Sequence, residues 1–305
     1  MNSTLARVDG LAATHPVGWR GTLADYYELT KPRIIVLLLI TTLAAMIMAA
    51  RGVPSLRLVA WTLIGGALAA ASAGAFNCVI DRDIDAVMRR TMRRPLPAGR
   101  VQPGAAAVFA SALGIASFAI LYLLVNPLAA WLSLAGNVYY VVIYTLLLKR
   151  RTTLNIVIGG AAGAVPPLVG WAAVTGSVGP AALALFALIF LWTPPHFWAL
   201  ALMTETDYHK AHVPMLPNVR GPERTKREIV VYTLVMVAAS LAFVPLGIMG
   251  WPYGIAAAVL GGVFVVDSVR LLRGSTKPLA RRLFTYSLVY LALMCLVMVC
   301  DRVIA

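Results

Sequence analysis

Residues 77–94 read Asn77-Cys-Val-Ile-Asp81-Arg-Asp83-Ile-Asp85-Ala-Val-Met-Arg89-Arg90-Thr-Met-Arg93-Arg94. If a helix runs through this stretch, Asn77, Asp81 and Asp85 fall at i, i+4 and i+8. They then share one face, drifting by about 40° per step, while Asp83 points elsewhere. Three oxygen donors so spaced suit a hard divalent cation such as Mg²⁺, which makes them candidate catalytic and metal-holding residues. Arg90 and Arg94 are again four apart, next to Arg89 and Arg93, and guanidinium forks match phosphate oxygens. Carboxylate and phosphate repel by roughly 4 kcal/mol per charge pair at 4 Å and an effective dielectric of 20. A phosphate site that contains Asp81 and Asp85 therefore needs cations between the two. The combination fits a diphosphate carried on an apolar tail. The arginines alone could be topology anchors, and Asp85 with Arg89 an i, i+4 pair of about 0.2–0.5 kcal/mol. Acidic residues contribute little to topology, so the aspartates carry the functional argument.

A second constellation spans Trp192 to Pro217 and contains Pro194-Pro195-His196-Phe197, then Asp207-Tyr208-His209-Lys210. His196 falls inside an apolar run, where an ionisable group is a functional candidate by default. The alternative is a neutral histidine that satisfies carbonyls freed by the two prolines. His209 and His212 read as surface residues of a loop. A third cluster, Lys149-Arg150-Arg151, follows Tyr144 and Thr145.

These residues must be positioned by membrane helices. Of 305 residues, 60% are hydrophobic and only 12% charged, too few charges for a soluble domain of this length. The net charge of +14 could suggest nucleic-acid binding. The basic residues instead sit in short stretches between long apolar runs, and no nucleic-acid partner is expected. Apolar runs near 33–50, 58–80, 105–125, 128–148, 154–173, 181–203, 229–248, 251–272 and 283–300 each approach the roughly 20 residues a bilayer requires. The predicted fold is an all-α membrane protein, nine transmembrane helices in a bundle around a lipid-accessible cavity. Asn126-Pro127 reads as a tight hairpin between two of them.

With the N-terminus in the cytoplasm, the inside segments carry 23 Lys or Arg and the outside ones only Arg51, Arg57 and Arg302. That asymmetry sets the orientation. The domain reading is a cytoplasmic N-terminal segment, 1–32, followed by a single transmembrane domain, 33–305. The polar start, with Arg7, Asp9, Arg20, Asp25 and Glu28, has no cleavable signal pattern. Cys78, Cys295 and Cys300 form no CxxC pair, so neither zinc nor a disulfide framework is expected. Gly65-Gly66, Gly159-Gly160 and Gly163 permit close helix approach. Pro166-Pro167 and Pro194-Pro195 predict kinks facing a cavity. The second and sixth spans both run into long charged loops, a weak repeat of design.

The Asn77-x-x-x-Asp81-x-x-x-Asp85 string at the end of a second span resembles the first signature of intramembrane prenyltransferases related to 4-hydroxybenzoate polyprenyltransferase. The fuller string from Asp81 to Leu96 resembles their heme farnesyltransferase branch. So do Pro195-His196-Phe197, Asp207-Tyr208 and Pro214-Met-Leu-Pro217. The wider superfamily has Asp-x-x-x-Asp as its second signature. Here Asp207 matches the later aspartate, but Met203 stands at the earlier position. That departure weighs against a symmetrical second metal site and favours a heme acceptor.

The resemblance implies metal and diphosphate roles for Asn77, Asp81, Asp85, Arg90 and Arg94, with Asp207 joining the catalytic set. It makes Arg89, Lys149, His196, Tyr208 and Lys210 substrate contacts, His196 toward heme iron or a propionate and Lys149 toward diphosphate or propionate. The implied reaction is Mg²⁺-dependent transfer of farnesyl from farnesyl diphosphate to a vinyl group of heme b, with addition of water, giving heme O and diphosphate. Heme b is thus a substrate, membrane lipid the surroundings, and a heme A synthase the partner its pathway position suggests. The implied location is a bacterial inner membrane. The nearest enzyme alternative prenylates an aromatic quinone precursor. A secondary transporter is a different class, but transporter sites lie near the bilayer midplane, whereas these carboxylates sit at a membrane boundary.

Overall fold

A computed structural model describes residues 18–274 and 277–304 of the chain. The expectations that rest on residues 1–17, including Arg7 and Asp9, lie outside the described residues. The chain order is α1 (Trp19–Leu29), α2 (Pro32–Ala50), α3 (Leu56–Ile80), α4 (Arg82–Val87) and α5 (Pro103–Leu124). Next come α6 (Pro127–Val138), a π-helix that continues it (Tyr139–Leu148), α7 (Asn155–Thr175) and α8 (Pro180–Met203). Two short helices, α9 (Glu205–Lys210) and α10 (Leu216–Arg220), lead to α11 (Pro222–Leu241), α12 (Trp251–Arg273) and α13 (Lys277–Ile304). No strand occurs among the described residues.

Proline occupies the first or second position of α2, α5, α6, α8, α11 and α12. Its missing N–H costs nothing there, because the first-turn donors have no helical acceptor. Asn126 makes the expected hairpin concrete. Its Oδ1 accepts from Ala129 N at 2.9 Å, and its Nδ2 donates to Ala172 O at 2.8 Å. The start of α6 is thereby both capped and tied to the end of α7. α7 and α8 remain helical through Pro166-Pro167 and Pro194-Pro195.

Among the described residues, eight helices are long and apolar enough to cross a membrane: α2, α3, α5, α6 with its π-helical extension, α7, α8, α12 and α13. Seven of these agree with the expected spans to within two residues, and α13 begins six residues earlier than expected, at Lys277. The predicted ninth span, 229–248, is not among these eight. Its helix, α11, starts at Pro222 with the charged run Glu223-Arg224-Thr-Lys226-Arg227-Glu228 and ends at Leu241, before turns over 242–249. Charge in the first two turns keeps it out of the apolar set.

Packing follows the small residues. α3 lies on α5, α2 on α7, α7 on α8, and α13 returns to α8, α12 and α2, which closes the bundle. A Cβ at Gly170 would sit 2.2 Å from the Thr42 carbonyl oxygen, so α2 and α7 touch backbone to side-chain position. At Gly65 it would meet Leu121 at 2.6 Å, and at Gly159 it would meet Tyr144 at 2.2 Å. Gly163 has open space instead, contrary to the expected close contact. Asp301, near the end of α13, accepts from Gly250 N at 2.7 Å and Tyr253 N at 3.2 Å, capping α12 from outside its own sequence. The three cysteines are free.

Candidate active site

The site forms where α3 ends. A continuous helix over 77–85 is not what the chain adopts: α3 stops at Ile80, Asp81 leaves helical geometry (φ −89°, ψ 8°), and α4 restarts at Arg82. The stacking survives the break, because Asp81 N donates to Asn77 O at 2.9 Å and Asp85 N to Asp81 O at 2.8 Å. Asn77, Asp81 and Asp85 are therefore all buried together, and Asp83 is exposed as expected.

Each residue of the trio is engaged by a cation of the protein through one oxygen. Lys31 Nζ donates to Asn77 Oδ1, and Lys149 Nζ to Asp81 Oδ2. Arg94 Nη1 donates to Asp85 Oδ2 at 2.7 Å. Asn77 Nδ2 donates to Asp81 Oδ2 at 2.7 Å and to Thr145 Oγ1 at 3.1 Å, fixing the amide between them. Asp81 Oδ1 is buried without a hydrogen-bond partner; Arg150 Nη2 comes no nearer than 3.7 Å. Buried acceptors are normally satisfied. An orphan carboxylate oxygen beside an amide oxygen and a second carboxylate is the donor chemistry a hard cation takes, so these residues fit Mg²⁺. No cluster of three His, Cys, Asp or Glu side chains occurs among the described residues. Any metal here would rest on two carboxylates and an amide, completed by other oxygens.

The arginine expectation is corrected in part. Residues 88–100 form consecutive turns rather than a helix, so Arg90 and Arg94 share no helical face. Arg94 is half-buried and reaches Asp85; Arg89 and Arg90 are exposed, with no carboxylate partner among the described residues. Burial works against the Arg94 charge, but Asp85 outweighs it and holds the guanidinium above its ordinary range. Arg150 instead grips Asp83 with two bonds of 2.7 Å, which lower that carboxyl to about 2.

Three contributors were not singled out from the sequence. Lys31 has a left-handed backbone (φ 56°, ψ 56°), a strained conformation for a non-glycine residue and common at functional sites. Burial pushes its ammonium below the ordinary lysine range, although Asp85 and Asp81 pull the other way. Its signal was Thr30-Lys31-Pro32, a cation just before the first span. The second is the π-helix: Thr145 Oγ1 donates to Tyr140 O at 2.9 Å, and Lys149 N to Tyr144 O at 2.8 Å. Closure at i→i+5 puts residues four to five apart on one side, so Thr145 and Lys149 both face the trio. Such segments cluster at functional sites. The third is Ser287, beside His196.

His196 is buried in α8, stacked on Trp192 at 4.4 Å and Phe284 at 4.6 Å between ring centroids. Its Nδ1 lies 2.6 Å from Ser287 Oγ, and that hydroxyl gives its only proton to Phe284 O, also at 2.6 Å. The hydroxyl must then accept from Nδ1–H, which leaves the lone pair on Nε2. Of the α9 residues, Tyr208 is buried, Asp207 half-buried and Lys210 exposed. α4 and α9 are both six-residue helices with two acidic residues in their first turn, each following a long span. The weak repeat thus has a structural counterpart.

The profile of the UbiA prenyltransferase family matches residues 38–294. A protoheme IX farnesyltransferase of Gloeobacter violaceus is 57% identical over 92% of this chain and 92% of its own length. One from Synechocystis is 55% identical over 91% of this chain and 88% of its length. A third, from Roseiflexus, is 52% identical, and the chain spans about half of it, 53%. Among solved structures, a digeranylgeranylglyceryl phosphate synthase shares the fold with a TM-score of 0.75 at 18% identity, over 93% of this chain and 99% of that one. A UbiA homologue of Archaeoglobus fulgidus bound to DMAPP and Mg²⁺ follows at 0.65 and 18% identity, over 90% and 99%.

Proposed function

The chain belongs to the UbiA prenyltransferase family, and on that premise we propose that it transfers the farnesyl group of farnesyl diphosphate to a vinyl group of heme b. Identity of 50–57% to relatives named protoheme IX farnesyltransferase, over most of the chain, is the observation that carries the acceptor. The farnesyl C1–O bond breaks and diphosphate leaves with the bonding pair. A vinyl carbon of heme b attacks C1. Water adds to the resulting cation and loses a proton, giving the hydroxyethylfarnesyl product, heme O.

The buried trio is the diphosphate end of this reaction. Asn77, Asp81 and Asp85 would hold Mg²⁺, which when bound neutralises charge on the diphosphate as it departs. Lys31, Lys149 and Arg94 are held on the oxygens of that trio. With substrate they turn toward the phosphate oxygens, so their positive charge is already in place when negative charge develops. Arg90 and Arg89, on the adjoining turns, add to that field. Asp207, Tyr208 and Lys210 on α9 close the opposite side of the mouth. The farnesyl tail lies among apolar helices where water is scarce, which protects the allylic cation from hydrolysis.

His196 contacts heme through Nε2, and Ser287 positions it by holding the proton on Nδ1. The catalytic unit is a single transmembrane domain, 33–305, preceded by a segment on the cytoplasmic side of a bacterial inner membrane. α11 crosses as the ninth span, and heme O passes to a heme A synthase.

The test is chromatographic and mass analysis of hemes from membranes given heme b, farnesyl diphosphate and Mg²⁺, with and without this protein. A farnesylated, hydrated heme that vanishes on chelation of Mg²⁺ is the expected result. Prenyl transfer to an aromatic acid, with no such heme, would move the acceptor to quinone precursors and leave the family intact.

A further inference from the structure

Away from the site of Asn77, Asp81 and Asp85, a groove of about 680 Å³ lies between α12 and α13, with Asp267, Lys277, Arg281, Arg282, Tyr286 and Val289 among its walls. Its chemistry is graded. Along α13, Lys277, Arg281, Thr285 and Val289 recur every four residues and form one stripe, from cationic to apolar over about 18 Å. The facing stripe on α12 changes in the same sense, from Asp267 to Val263, one turn deeper. Val263 and Val289 are 39% and 45% exposed, so the deep end of the groove opens toward surrounding hydrocarbon.

The charged end is built rather than incidental. Asp267 is 4% exposed and is held by Arg282, whose Nε donates to Oδ2 at 3.0 Å. Its Oδ1 has no hydrogen-bond partner, and Arg270 Nη1 stands 3.5 Å away. One carboxylate thus fixes Arg282 at the rim and cancels one of the three wall cations. Lys277 and Arg281 are exposed and remain uncompensated among the described residues.

We propose that this groove holds one anionic phospholipid of the surrounding bilayer, its phosphate on Lys277 and Arg281 and an acyl chain along Tyr286, Val289 and Val263. A phosphate suits the guanidinium and ammonium at the rim, and the apolar floor suits a chain. A zwitterionic lipid would bring an extra cation against Arg281. Orientation signalling needs basic residues near a span, but it needs neither a groove nor a graded stripe.

The experiment is native mass spectrometry of the full chain released from mixed vesicles of equimolar phosphatidylglycerol and phosphatidylcholine. Retention of one phosphatidylglycerol per protein, in preference to phosphatidylcholine, is expected. Equal retention of the two lipids in the unaltered protein would overturn the proposal without any variant. Arg281→Glu and Val289→Trp, each verified as helical and monodisperse, should both lose the bound lipid, the first by charge and the second by filling the floor without changing charge. Loss in Arg281→Glu with full retention in Val289→Trp would mean diffuse surface attraction and would also overturn it. So would displacement of the lipid by farnesyl diphosphate at its working concentration, since the groove would then belong to the substrate.

Discussion

Asp81 has Asn77, Lys149 and Arg150 around its carboxylate, and one of its oxygens is still unsatisfied. Removing one member of a buried ion pair destabilises by about 3–5 kcal/mol, so the informative change is the isostere. Asp81→Asn and Asp85→Asn should each reduce farnesyl transfer by at least about 10²-fold while the helical content in detergent stays unchanged. Near-normal heme O formation at limiting Mg²⁺ would remove both from the metal site. Ser287→Ala deletes the acceptor for Nδ1–H without touching heme. Loss of tautomer control should alter the absorption spectrum of bound heme, and Ser287→Thr should restore it. A spectrum indifferent to all three side chains would leave His196 as packing within its aromatic stack. The grouping of Asn77, Asp81 and Asp85 was legible from i, i+4 spacing, but Lys31 was not. It reaches Asn77 from 46 residues away, through a backbone conformation that no pattern of residue types announces.

At the scale of elements, helix boundaries were set by signals local to the chain. Proline at the first turn and Asn126 at the hairpin mark starts that the structure keeps. Where a glycine permits contact, however, depends on what stands opposite. Gly170→Ala drives a methyl group into the Thr42 backbone of α2 and should lower stability by about 1–3 kcal/mol, as overpacking does. Gly163→Ala faces open space and should be neutral or stabilising by up to about 1 kcal/mol. Thermal unfolding in one detergent compares the two. Equal effects would contradict the close approach of α2 and α7. Asp301→Ala removes the cap that α13 supplies to α12 and should cost about 0.5–2 kcal/mol in the same assay. The π-helix was invisible beforehand, since Tyr139 to Leu148 is an ordinary apolar run by composition.

For the whole molecule, the distribution of basic residues makes a claim that can be measured. The ends of α3, the π-helix, α8 and α12 and the starts of α2, α5, α7, α11 and α13 should lie on one side, the cytoplasmic one. A single cysteine introduced at Thr152, in a chain otherwise free of cysteine, should react with an impermeant reagent only from the cytoplasmic face. One at Ser55 should react only from the other face. Reversal of both would invert the topology. Labelling of 242–249 from the same face as Ser55 would show that α11 crosses despite its charged first turns.

Hydropathy, length and charge asymmetry determined an all-helical membrane bundle from the sequence alone, because the bilayer demands about 20 apolar residues per span and internally satisfied backbones. The i, i+4 spacing likewise determined that Asn77, Asp81 and Asp85 would act as a group, since four residues is close to one helical turn and the backbone ladder carried that spacing across the break at Asp81. Only the tertiary structure decided which cations meet that group. Lys31, Lys149 and Arg94 are each brought by a different segment, and long-range electrostatic pairing depends on where helices cross. It also decided the His196 tautomer, through a hydroxyl 91 residues away, and gave the groove between α12 and α13 two facing walls. Periodicity shows the face each helix presents; packing alone decides what that face meets.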